Sequence, residues 1–86
     1  MRRNSIEIGN LVTLNERGNQ YFYGKALIGY SPSKSGGIYK DVSENERKGI
    51  VIDTRKDNDN VKVAWNTLEV SYVYTWISSR LLKKVE

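Results

Sequence analysis

This chain of 86 residues contains neither cysteine nor histidine. That excludes disulfides, thiolate and imidazole metal sites, and any nucleophile that depends on a histidine base. Acid, base or nucleophilic work would fall to carboxylates, lysines, tyrosines and serines. Asp41, Glu44, Glu46 and Asp53 are the carboxylates that could act as a pair, yet nothing in their spacing requires one, and solvated loop charges account for them equally well. The run from Gly29 to Ser35 invites comparison with a phosphate-binding loop. It fails, because Ser33 stands where the glycine before Lys34 belongs, and Gly36 and Gly37 occupy the place where a helix must begin. Asp57 and Asp59 resemble the start of a calcium loop but lack its glycine and distal glutamate. Asx residues of this kind form turns by bonding their own backbone. The sequence predicts a protein that is not an enzyme and needs no metal or cofactor.

Binding chemistry is better represented. Tyr21, Tyr23, Tyr30, Tyr39, Tyr72, Tyr74 and Trp76 are more rings than a core of this size needs, and tyrosine and tryptophan are enriched at the energetic centres of protein interfaces. They predict an aromatic patch that engages a protein surface. The alternative is nucleic-acid binding. Arg47, Lys48, Arg55, Lys56, Arg80, Lys83 and Lys84 would neutralise phosphates while exposed rings stack on bases. The net charge of +4 suits either partner. Glu44, Glu46, Asp53, Asp57 and Asp59 lie among the basic residues and dilute their field. No apolar run has the length of a signal peptide or a membrane span, so the expected setting is cytoplasmic, with no membrane partner.

The elements that must position these residues read as one all-β domain over residues 1–86. Residues 1–9 form a polar arm in which Arg2 and Arg3 are solvated, and residues 10–14 are a short first strand. Residues 15–20 compose a turn, residues 21–30 an irregular, strand-like aromatic excursion, and residues 31–37 a mobile tip. Ser43 and Glu46 fit a capping box around one helical turn. Residues 15–48 thus read as one long elaborated loop between the first two core strands. Residues 50–54 and 61–65 form a hairpin across the polar turn 55–60, with Val61, Val63 and Trp65 on one face. Residues 68–74 make a third strand of the meander with Leu68, Val70, Tyr72 and Tyr74 on one face and Glu69, Ser71 and Val73 on the other. Residues 76–79 suit a 3₁₀ turn that delivers residues 80–85 as a last strand, which pairs with the first.

In this order GNLVTL, GIVIDT, VKVAWN, LEVSYVY and WISSRLLKKV resemble the small SH3-like barrels of the KOW and Tudor-like kind. The likeness is greatest to short uncharacterised proteins of tailed bacteriophages. The resemblance covers residues 10–14 and 49–85 and implies a small five-stranded SH3-like barrel, with a long loop after the first strand and a 3₁₀ turn before the last. It implies a non-enzymatic binding module, a phage accessory protein or an inhibitor of a host protein, acting in the host cytoplasm. The segment 15–48 departs from the brief loop of shorter members, and in such barrels that loop contributes to the binding surface.

Overall fold

The computed structural model describes residues 6–31, 38–55, 57–67 and 72–85. Among these residues there are seven strands: β1 (Leu11–Leu14), β2 (Leu27–Ser31), β3 (Ile38–Val42), β4 (Lys48–Thr54), β5 (Asn60–Trp65), β6 (Val73–Ser78) and β7 (Leu82–Lys84). One short helix, α1 (Glu16–Tyr21), and 3₁₀ turns at Glu44–Glu46 and Ser79–Leu81 connect them. All strands belong to one sheet, paired antiparallel in the order β3-β2-β6-β5-β4-β1-β7.

Four of the five strands expected from the sequence correspond to the contiguous part β5-β4-β1-β7 of that sheet, whereas the strand expected over residues 68–74 coincides with β6 only at Val73 and Tyr74. The hairpin β4–β5 forms over the expected residues, and the last strand pairs with the first, Val12 opposite Lys84 and Leu14 opposite Leu82. The strand count is corrected by segment 15–48, which is not one loop. It supplies α1 and the hairpin β2–β3, and that hairpin adds to the free side of β6. The sheet ends at β3 and β7 and does not close.

It does curl. Val42 at one end of the strand order and Val12 and Leu82 at the other are almost fully buried, although among the described residues α1 is the only helix longer than a single turn that could cover them. A flat sheet of this width would leave its outer strands nearly 30 Å apart, with their side chains wet. Curling brings them into one cluster with Leu14, Leu27, Val51, Val61, Val63, Trp65, Val73 and Ile77. Gly29 permits the close approach of β2 to β6, because a Cβ there would meet the Tyr74 carbonyl oxygen at 2.7 Å. Gly29 is therefore an interior strand residue, opposite Lys40.

Three local expectations are also corrected. Residues 16–21 are helical because Asn15 caps them: its Oδ1 accepts from the Gly18 N–H at 2.8 Å, while its Nδ2 donates to the carbonyls of Arg80 and Leu82. Strand β6 runs to Ser78, so the 3₁₀ turn starts at Ser79, three residues later than expected. Val73 and Ile77 point inward and Tyr74 and Trp76 outward, so Val73 lies on the face opposite Tyr74, as the alternation of the sequence has it. The turn at Glu44–Glu46 forms with Ser43 at its N-cap, but the Ser43 side chain makes no capping hydrogen bond. Expectations for Arg2, Arg3, the tip 32–37, Lys56 and residues 68–71 lie outside the described residues.

Candidate binding face and groove

Strand alternation places every second residue on the outer surface of the curled sheet. In register, Tyr39 lies opposite Tyr30, Tyr30 opposite Tyr74, Tyr74 opposite Ala64, Ala64 opposite Ile50, and Ile50 opposite Leu11. These positions make an apolar row across six strands, about 24 Å long at the usual strand spacing. Tyr39, at 73% exposure, and Tyr30, Ile50 and Leu11 are exposed, while Tyr74 is half-buried and Ala64, between its larger neighbours, is buried. Ile28, Ile52, Tyr72 and Trp76 widen the row on either side, the first three exposed and Trp76 half-buried. The exposed apolar side chains of the face present on the order of 600 Å², the upper end for the largest patch of a monomer.

Cations stand on the rings of this face. The Arg55 guanidinium lies 4.4 Å from the centre of the Trp76 ring, and Lys62 Nζ 5.4 Å from that of Tyr74. Lys48 and Lys83 are exposed on either side of Thr13, in register with it. Asp41 and Asp53 are the exposed acids of the same face, Asp53 opposite Lys62. Each stacked cation is worth about 0.5–1 kcal/mol at an exposed site, and its stem covers part of the ring.

Five of the seven aromatic residues singled out from the sequence therefore meet on one surface: Tyr30, Tyr39, Tyr72, Tyr74 and Trp76. Tyr21 and Tyr23 do not join the row. Tyr21 ends α1 and packs edge-on against Phe22, with ring centres 4.9 Å apart, and Lys25 Nζ sits 4.6 Å from the Tyr21 ring centre. Tyr23, 83% exposed, projects beside Glu16, Asn19, Gln20 and Lys83 around a shallow depression. Where β2 and β6 part, a groove of about 320 Å³ opens between the sheet and α1, bordered by Tyr21, Phe22, Leu27, Ile28, Trp76 and Ile77 among others.

The basic residues fare differently. Arg47 is no surface residue: only 9% exposed, it donates from Nε to the Val42 carbonyl at 3.3 Å and from Nη2 to the Lys25 carbonyl at 3.2 Å, and it faces the Phe22 ring. It staples the β2–β3 hairpin to β4 and is not placed to meet phosphate. Arg80 donates from Nε to Asp59 Oδ2 at 2.9 Å. Lys84 is exposed on β7, an edge strand of the sheet, and does not line the groove. Turn-forming by the Asx residues is visible at Asn58, whose Oδ1 accepts from the Asn60 N–H.

Sequence reasoning missed Leu11, Ile28, Ile50 and Ile52 as surface residues. An unbroken apolar run such as Ile50-Val51-Ile52 reads as buried on both faces, and only its alternation in β4 shows that Val51 alone is inward. It also missed Lys25, which stands on Tyr21 four residues before it, and Lys62, whose contact with Tyr74 exists only across strands. No family model, curated protein or solved structure matches the chain. Among the described residues no helix is long and apolar enough to cross a membrane.

Proposed function

We propose that this protein is a small non-enzymatic binding module whose outer sheet face engages the surface of another protein. The observation that carries this reading is the row Tyr39–Tyr30–Tyr74–Ala64–Ile50–Leu11, an apolar stripe held in register on a sheet whose other face makes the core. Folding alone gives no reason to expose it, and large contiguous apolar surface marks interaction sites. Aromatic anchors with a charged rim match the anatomy of protein interfaces. The pairing of last strand with first, and the 3₁₀ turn before the last strand, support viewing β1 and β4–β7 as an SH3-like core to which the β2–β3 hairpin adds binding surface. A phage accessory protein or host-protein inhibitor is the biological setting that this resemblance suggests.

Affinity capture with the whole chain and with a Tyr30→Ser, Tyr39→Ser variant tests the reading. A protein retained in stoichiometric amount by the parent and lost by the variant is the expected result; retention by both removes the outer face from the interaction.

A second reading, single-stranded nucleic acid on the same face, is favoured by the interleaving of Arg55, Lys62, Lys48 and Lys83 with the rings. It ranks lower because Arg47 is internal, Arg80 is paired, and Trp76 and Tyr74 already carry the protein's own cations. Leu11, Ile28, Ile50 and Ile52 offer nothing to a base or phosphate. Anisotropy with labelled DNA and RNA at low salt discriminates, since phosphate binding must fall steeply as salt rises.

A further inference from the structure

The groove between α1 and the sheet arises because β2 and β6 share a single register pair, Tyr30 with Tyr74, whereas β6 is paired with β5 at six positions. From Thr75 to Ser78 the β2-facing side of β6 has no register partner among the described residues, and the groove lies along it. Its apolar walls include Tyr21, Phe22, Leu27, Ile28, Trp76 and Ile77, polar Asn60, Thr75 and Ser78 complete its lining, and no charged side chain borders it among the described residues. Two of those walls carry a cation, Lys25 on Tyr21 and Arg55 on Trp76, both exposed. Of the nearby acids, Asp59 is engaged by Arg80, and Asp41 lies in register opposite Ile28, on the β3 side of β2 away from β6.

An unpaired strand side, apolar walls and a positive rim have one complementary occupant. We propose that the groove receives an extended acidic segment of a partner protein, lying along Thr75–Ser78 of β6. Apolar side chains of that segment pack between Tyr21, Ile28 and Trp76, and its carboxylates face Lys25 and Arg55. Strand addition supplies affinity through the backbone, and the walls select alternate side chains. The charge sets the sign of the partner, because like charges brought to an interface are rejected. This inference rests on the reading of the chain as a protein-binding module and specifies which part of a partner it holds. Nucleic acid is the poorer fit to the groove, since two of its rings, Tyr21 and Trp76, already carry a lysine and an arginine.

The test is selection of a random dodecapeptide library on the full chain, followed by calorimetry and amide shift mapping with the selected peptides. Expected are peptides with two or more carboxylates beside apolar residues, shifts concentrated at Tyr21, Ile28 and Trp76, and affinity that falls with salt. Lys25→Gln and Arg55→Gln should each weaken binding about five- to tenfold with unchanged thermal melts, while the charge-matched control Lys84→Gln changes it less than twofold. Failure to select any peptide, selection of neutral or basic sequences, shifts that map elsewhere, or displacement by a single-stranded oligonucleotide overturns the proposal. A captured natural partner that is lost with Tyr39→Ala but indifferent to Lys25→Gln and Arg55→Gln overturns the groove assignment alone. One indifferent to all three overturns the outer-face reading as well.

Discussion

Trp65 is fully buried at the centre of the core, and its indole Nε1 has no hydrogen-bond partner among the described residues. Its value is therefore volume, not polarity. Trp65→Ala should cost about 3–5 kcal/mol, most or all of the stability expected of so small a domain. Trp65→Phe should cost much less, because it keeps an aromatic ring in the core and removes an unpaired donor. Chemical denaturation of the two variants checks the difference. Ser31 presents the same question in small form: its Oγ is buried and likewise without a partner among the described residues. An unsatisfied hydroxyl costs about 1–3 kcal/mol, so Ser31→Ala is expected to be neutral or to raise the melting temperature. Tyr39→Ala, at the exposed end of the row, should leave the melt unchanged.

At the level of elements, α1 shows packing overriding propensity. The helix is six residues long, too short to persist alone, and it is fixed from outside by Asn15 and by contact with the 3₁₀ turn at Ser79–Leu81. Gly18 lies at that contact, where a Cβ would collide with the Leu81 carbonyl oxygen and approach Leu14 Cδ2 to 3.1 Å. Alanine is the better helix former by about 1 kcal/mol, yet Gly18→Ala is expected to destabilise by about 1–3 kcal/mol, because the obstruction is backbone. A higher melting temperature for Gly18→Ala would show that α1 is not held against the turn. The same dependence explains why residues 15–20 read as a turn. Asn15 and Glu16 form a weak helix start, and the partners that make it hold are more than 60 residues away.

For the whole molecule, the question is whether the β2–β3 hairpin is an appendage or part of the fold. Leu27 and Val42 lie in the common core, and Arg47 ties the hairpin's end to the start of β4. Leu27→Ala should then cost about 2–5 kcal/mol and leave a single unfolding transition for all probes. Loss of the β2–β3 amide signals ahead of the rest would instead mark a separable unit.

The sequence by itself determined the β class, the hairpin β4–β5, the inward set Val61, Val63 and Trp65, the return of the last strand to the first, and most of the aromatic residues that reach the surface. These are consequences of period-two alternation and turn chemistry, which act between neighbours along the chain. Tertiary structure alone decided the hairpin added at β6, the continuation of β6 through Ser78, the withdrawal of Arg47 to the interior, and the alignment of Tyr39, Tyr30 and Tyr74 into one row. Each of these depends on register between strands distant in sequence, and shifting a register by one residue exchanges the buried and exposed faces of a strand without altering its composition.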